Sequence, residues 1–124
     1  RTSSTCSDAA GANYPAASNA QRLVRADGHG VPEILDAILS LFPLDTFVAE
    51  PVTLMRVVPG DPTVPEVQDR IRAVVRKYDP RGDAAIGMVP RFEFYEKAKQ
   101  AYAIVATTEH GAYGCMIIKK GVIH

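Results

Sequence analysis

The chain contains no tryptophan, only two cysteines and three histidines, and no apolar run long enough to cross a membrane. It also lacks a net charge, because 14 Lys and Arg residues balance 14 Asp and Glu residues, and neither sign forms a long run. Proteins usually bind nucleic acids or anionic membranes through a basic stripe, so this distribution disfavours both partners. The start of the chain (RTSSTCSDAA) lacks the apolar core of a signal peptide. We therefore expect a cytoplasmic protein.

Metal and cofactor signatures are also missing. No pair of histidines has the spacing of metal ligands. Glycine-rich phosphate-binding motifs and the G-x-S-x-G nucleophile motif are absent. We therefore expect neither a metal nor another cofactor. Cys6 and Cys115 lie near opposite ends of a chain without secretory features, which predicts two free thiols and no disulfide.

The elements that the sequence does contain alternate in type. The length suits one domain, residues 1–124, in which residues 1–20 show no period and are expected to be irregular or incomplete. Strands are predicted at residues 22–25, 44–49, 52–58, 84–89 and 102–107 and from residue 116, and helices at 31–41, 65–78 and 91–100. Such alternation with short connections predicts an α/β fold in three layers, α/β/α.

The carboxy-terminal third carries the clearest pattern. In the helix at residues 91–100, Phe92, Tyr95 and Ala98 fall on the predicted buried face and charged residues lie opposite. Residues 102–107 (YAIVAT) form an uncharged run, which is typical of a strand buried on both faces. A polar, glycine-containing loop follows. Because α/β proteins bind small polar ligands at strand ends, we predict a ligand site here.

Several segments resemble, in collinear order, the motifs of the ribose pyranase and fucose mutarotase family, in its L-fucose mutarotase branch. They are residues 25–28 (RADG), 41–47 (LFPLDTF), 91–98 (RFEFYEKA), 105–109 (VATTE), 113–115 (YGC) and 118–122 (IKKGV). The resemblance extends roughly from Ala12 to Val122. It implies a ribose pyranase-like fold with a mixed central sheet, and a homo-oligomer with sites near subunit contacts. It also implies a mutarotase, which interconverts the α and β anomers of free L-fucose or a related monosaccharide by acid–base ring opening.

The same resemblance implies substrate contacts at Arg91, Tyr113, Gly114 and Cys115. The five donors of Arg91 suit neighbouring sugar hydroxyls, and the Tyr113 hydroxyl can donate or accept at the anomeric hydroxyl. Gly114 permits a close approach of the backbone to a ligand. Cys115 stands where the family has asparagine, so a weak thiol replaces an amide. Each residue also has a simpler interpretation. Arg91 can be a solvated charge, Tyr113 a tyrosine at a strand end, and Gly114 a turn glycine.

The proton-donating histidine of the family has no counterpart in this alignment. Counted without gaps, Ser3 takes its position, and Gly11 takes that of the sugar-binding aspartate. With three inserted residues, Asp8 replaces that aspartate, and we include it among the predicted contacts. Tyr113 and His110 are the remaining acid–base candidates, although a loop histidine is more often simply exposed. Two alternatives therefore stay open: a non-catalytic sugar-binding protein and a structural subunit of a mutarotase oligomer.

Overall fold

A computed structural model describes residues 2–7, 22–26, 28–100, 103–108 and 111–121. Within these ranges the chain forms six strands and three α-helices. In chain order they are β1 (Thr2–Ser7), β2 (Arg22–Ala26), α1 (Val31–Leu39), β3 (Val52–Met55), α2 (Glu66–Tyr78), β4 (Ile86–Val89), α3 (Arg91–Ala98), β5 (Ala103–Thr107) and β6 (Met116–Lys119). A short 3-10 helix, Gly82–Ala85, leads into β4. In the part of the chain described, no helix has the length and apolar character that a membrane span requires.

The strands form one sheet in the order β2-β5-β1-β6-β3-β4. Strand β5 runs parallel to β1 and β2, and β3 runs parallel to β4. Strand β6 lies between β1 and β3 and is antiparallel to both. The sheet is therefore mixed, as predicted.

Both faces of the sheet are covered by helices. Side chains alternate along β6, so that Met116 and Ile118 enter one apolar core and Ile117 enters another. The larger core contains buried residues of α1 and α2, among them Leu35, Ile71 and Val75, and the smaller one contains Met55, Phe94 and Ala98. Helices α1 and α2 thus cover one face and α3 the other, which confirms the predicted three-layer α/β/α fold.

The helices follow from local sequence, with one correction. In α2, Val67, Ile71 and Val75 recur every four residues and form one buried stripe. In α3 the buried pair is Phe94 and Ala98, whereas Phe92 is 80% exposed. The prediction that Phe92 lies on the buried face was therefore wrong. Residues four apart share a face of a helix, so once Phe94 and Ala98 pack on the sheet, a residue two positions before Phe94 points away.

Residues 44–49 do not form the predicted strand. Their only bridge in the described sheet joins Leu44 to Lys120. An Asp45 carboxylate oxygen accepts a hydrogen bond from the Phe47 N–H at 2.8 Å, which turns the chain. The Arg81 guanidinium then binds two carbonyl oxygens of this segment, at 2.9 and 3.0 Å. Side chains therefore bind backbone N–H and carbonyl groups that would otherwise pair with a neighbouring strand.

Strand β1 is the opposite case, because residues 2–7 show no alternation and yet form a strand. It lies inside the sheet, paired with β5 on one side and β6 on the other. A strand with one solvated face usually alternates, and a strand covered on both faces is usually an apolar run, but the residues TSSTCS show neither pattern. The expected irregular start is therefore wrong for residues 2–7.

Gly121 packs directly on backbone. A Cβ at this position would lie 2.5 Å from the Leu44 carbonyl oxygen, and the Gly121 N–H donates to the Pro43 carbonyl at 2.8 Å. Neither chain segment can retreat without breaking this contact, so Gly121→Ala should lower the free energy of unfolding by about 2 kcal/mol. Urea unfolding measures this change.

Gly87→Ala is the matched control for this substitution. Its added Cβ would meet the carboxylate of Glu50, at the end of an exposed side chain that can rotate away. We expect the control to lose clearly less stability than Gly121→Ala. Equal losses would contradict the packing argument.

Candidate functional site

The turn before β6 has an unusual backbone conformation. Tyr113 has a φ of 60°, in the left-handed region that residues other than glycine rarely adopt. Its carbonyl accepts a hydrogen bond from Gln68 Nε2 at 3.1 Å, and the same amide donates to the Met55 carbonyl at 2.8 Å. Gln68 is 1% exposed. A buried side chain of α2 thus ties the Tyr113 turn to the end of β3, which holds the backbone in its strained conformation.

The Tyr113 side chain is bound as firmly as its backbone. Its hydroxyl donates to Asp61 Oδ2 at 2.5 Å, and the Val58 N–H donates to the phenol oxygen at 3.3 Å. The other oxygen of Asp61 accepts from the N–H and the hydroxyl of Thr63, at 2.9 and 2.5 Å. Both oxygens of this carboxylate are therefore held in fixed directions.

Arg91 acts on the same carboxylate. Hydrogen bonds from the Thr63 hydroxyl, Tyr113 and the Thr63 N–H, together with the positive charge of Arg91, lower the pKa of Asp61 from 3.8 to about 2. Asp61 is therefore ionised at neutral pH. Arg91 itself is exposed at the first position of α3. Tyr113 is thus hydrogen-bonded to an ionised group whose pKa the charge of Arg91 also lowers.

The other predicted contacts of the Tyr113 turn have different surroundings. Gly114 is buried directly after Tyr113. Cys115 is half-buried, packs against the core that contains Phe94, and is disulfide-bonded. The predicted free thiol at Cys115 is therefore wrong. The pairing of Thr5 with Met116 places Cys6 and Cys115 at neighbouring positions in the sheet, so their separation in sequence misled the prediction.

Three predicted positions are not described in the structure. Asp8 and His110 lie outside the described residues, and so does the side chain of Ser3 within β1. Their roles stay predictions. No group of three or more His, Cys, Asp or Glu side chains that could hold a metal ion occurs among the residues that the structure does describe.

Two residues of the site were missed by sequence reasoning. Asp61 lies between the predicted strand at 52–58 and the predicted helix at 65–78, where no site residue was predicted, although an Asp two residues before Thr63 is typical of a side-chain-capped turn. Gln68 interrupts the apolar stripe of α2, between Val67 and Ile71. A polar residue in a buried stripe requires a partner, and this signal was available in the sequence.

The arrangement suits a polyhydroxylated ligand. The guanidinium offers several donors in one plane, and the phenol oxygen can contact a hydroxyl. The Asp61 carboxylate that accepts from the phenol stays charged. Such a set of groups can orient a sugar and influence proton positions at its hydroxyls.

Comparison with known proteins defines the class. A family model described as "RbsD / FucU transport protein family" matches residues 9–123. The chain is 43% identical over 111 residues to the L-fucose mutarotase of Actinobacillus pleuropneumoniae serotype 5b, a match that covers 90% of this chain and 76% of that protein. It is 42% identical over 123 residues to the fucose mutarotase of Homo sapiens, covering 90% and 75%. The chain belongs to the RbsD/FucU family, which confirms the resemblance.

Solved structures agree with this assignment. FucU from Bifidobacterium longum matches with a TM-score of 0.88 and 42% identity, over 99% of this chain and 85% of that one. The fucose mutarotase from Streptococcus pneumoniae, in complex with L-fucose, matches with a TM-score of 0.85 and 40% identity, over 99% and 84%. Bacillus subtilis RbsD, complexed with D-ribose, shares the fold with a TM-score of 0.71 at 14% identity, over 99% and 83%.

Proposed function

We propose that this chain is an L-fucose mutarotase, an isomerase that interconverts the α and β anomers of the free sugar without a cofactor. The observation that carries the proposal is the similarity, over nearly the whole chain, to a fucose mutarotase that was solved with L-fucose bound. The hydrogen bond of Tyr113 to Asp61, and the effect of the Arg91 charge on the same carboxylate, support it, because these side chains are suited to sugar hydroxyls.

The reaction requires movement of protons and one ring opening. A proton leaves the anomeric hydroxyl, another reaches the ring oxygen, and the bond between the anomeric carbon and the ring oxygen breaks. The free aldehyde rotates, and closure reverses these steps. Atoms and electrons are conserved, so the protein needs an acid, a base and groups that hold the other hydroxyls.

The predicted residues divide this work. Arg91 holds sugar hydroxyls by donating to them, and Tyr113 contacts the anomeric hydroxyl. Asp8, Gly114 and Cys115 complete the predicted set of contacts, with Cys115 contributing through its backbone because its sulfur is in a disulfide. His110 is the candidate for the acid at the ring oxygen, because histidine titrates close to neutral pH.

The decisive experiment is magnetisation exchange between the two anomeric protons of L-fucose. A mutarotase accelerates this exchange at catalytic protein concentrations. Shifts of the sugar signals without faster exchange would identify a sugar-binding protein instead. Neither binding nor exchange, with co-purification of another family member, would identify a structural subunit.

The proposal includes a homo-oligomer whose sites lie near subunit contacts. Two exposed apolar side chains are next to site residues in the sequence. Phe92 follows Arg91, and Val64, which is 74% exposed, follows Thr63. Apolar groups at the rim of a polar site favour a contact with another subunit. Light scattering of the purified protein should give a mass several times that of one chain, and Phe92→Glu should lower it.

Two results decide whether this oligomer exists. Arg70→Glu, which changes an exposed residue of α2, is the control and should keep the wild-type mass. A wild-type protein that stays monomeric at high concentration would contradict the oligomer.

A cytoplasmic location is the last part of the proposal. It carries forward the expectation drawn from the sequence. Disulfides rarely persist in the cytoplasm, so the disulfide of Cys115 is the observation that argues against this location. Thiol labelling of Cys115 in rapidly quenched cells tests this, since a fully oxidised Cys115 would argue for another compartment.

A further inference from the structure

We infer that Asp61 is a positioning residue of the sugar site: its carboxylate takes the single hydroxyl hydrogen of Tyr113, so that the phenol oxygen meets the sugar as a hydrogen-bond acceptor. This inference rests on the proposed function, because it assumes that Tyr113 contacts the anomeric hydroxyl. Asp61 was not among the residues predicted from the sequence.

The direction of the hydrogen bonds follows from counting donors. A tyrosine hydroxyl has one hydrogen and two lone pairs. Asp61 already accepts two donors from Thr63, which favours the ionised carboxylate, and an ionised carboxylate can only accept. The Tyr113 hydrogen must therefore lie in its 2.5 Å contact with Asp61.

The contact of the phenol oxygen with the Val58 N–H limits which ligand groups can bind to this oxygen. The Val58 backbone N–H can only donate, and it lies 3.3 Å from the Tyr113 oxygen. One lone pair of the phenol then remains for a ligand. A group that donates a hydrogen can use this lone pair, whereas a group that only accepts cannot.

The need for a donor at the phenol oxygen distinguishes the two reacting oxygens of the sugar. The anomeric hydroxyl carries a hydrogen and must lose it when the ring opens. The ring oxygen carries none and must gain one. Tyr113 can therefore accept from the anomeric hydroxyl, as the proposed function assumes, and the proton for the ring oxygen must come from a different group.

Asp61 cannot easily release the phenol by rotating. Its Oδ1 is held by the N–H and the hydroxyl of Thr63, which fixes Oδ2 toward Tyr113. The Tyr113 backbone is fixed independently by the buried Gln68 amide. Asp61 and Tyr113 are thus each fixed by other residues, independently of the hydrogen bond between them.

Asp61→Asn tests the inference with little change in shape. The two donors of Thr63 should keep the amide oxygen at the Oδ1 position, so that the amide N–H₂ faces Tyr113. The amide then donates to the phenol and frees its hydrogen to point at the sugar. We expect kcat for exchange of L-fucose anomers to fall by about 10-fold or more, with KM changed by less than about 3-fold, because an acceptor beside the anomeric hydroxyl has become a donor.

The control is a double-mutant cycle with Tyr113→Phe. If Asp61 acts through the phenol, Asp61→Asn should change kcat by less than about 2-fold when the phenol is absent. Thr63→Val, which retains the carboxylate and removes one of its anchors, provides a second variant in case Asp61→Asn does not fold. It should give a smaller loss that also disappears in the Tyr113→Phe background.

Each outcome has a distinct meaning. A loss in kcat that needs the phenol supports the inference. Wild-type kcat in Asp61→Asn, or the same loss with and without the phenol, overturns it while the proposed function stands. Absence of exchange and of L-fucose binding in the wild-type protein overturns the proposed function and the inference together.

Discussion

Arg91→Ala should lower kcat/KM for exchange of L-fucose anomers by about 100-fold. Hydrogen bonds from a charged group contribute roughly 1.5–3 kcal/mol each, and each 1.36 kcal/mol corresponds to about a tenfold change. Loss of two such bonds to neighbouring hydroxyls therefore accounts for the expected effect. Arg91 is exposed at the first position of α3, so the thermal midpoint should change little. Kinetics by magnetisation exchange and thermal unfolding are measured on the same preparation.

Two further variants show whether Arg91 acts through its geometry or only its charge. Arg91→Lys keeps the positive charge but loses the planar set of donors, and it should recover only part of the activity. Arg70→Ala removes an exposed arginine from α2 and is the matched control, with activity near that of the wild type. Wild-type kinetics for Arg91→Ala would remove Arg91 from the site.

Tyr113→Phe should reduce kcat by roughly 100-fold or more, because a positioned group that takes part in proton transfer contributes about 10²–10⁴-fold. Binding of L-fucose should weaken much less, since Arg91 and the backbone remain. The substitution also leaves the Val58 N–H without its side-chain acceptor, for which we expect a stability loss of about 1 kcal/mol. Anomer exchange, sugar titration and urea unfolding separate these three effects.

Tyr95→Phe is the matched control for this loss. Tyr95 lies in α3 and packs edge-on to Phe94, with 6.3 Å between the ring centroids. The ring contact survives removal of its hydroxyl, so we expect near-wild-type kcat. If both tyrosine variants lose activity equally, Tyr113 has no special role in the reaction.

Local pattern predicted the helices well because burial of a helix stripe depends on residues a few positions apart. The stripe of α2 illustrates this, whereas in α3 the pattern located the helix but assigned Phe92 to the wrong face. Strand β1 and the segment at 44–49 failed for the opposite reason. Pairing of β1 depends on two distant strands, and the turn at Asp45 is fixed by Arg81, which lies 36 residues further along the chain.

The site also contains features that depend on residues far apart in the sequence. Arg91 and Tyr113 were named because they match family motifs, and no periodicity in the sequence identifies them. Asp61 was missed because its partner, Tyr113, lies 52 residues away. The local sequence shows neither the left-handed backbone of Tyr113 nor the hydrogen bond between the two residues. Only the fold shows that the turn after Gly60 and the turn before β6 meet.

The position of β6 has a consequence for synthesis on the ribosome. Strands β2, β5 and β1 form one group, β3 and β4 form another, and β6 is the strand that bridges them in the described sheet. It is also the last of the described strands to be translated. The β3–β4 pair can form early, whereas β5, which joins β1 to β2, is translated only shortly before β6. The two groups cannot register against each other until β6 leaves the exit tunnel, and until then β3 presents an unpaired edge to other nascent chains.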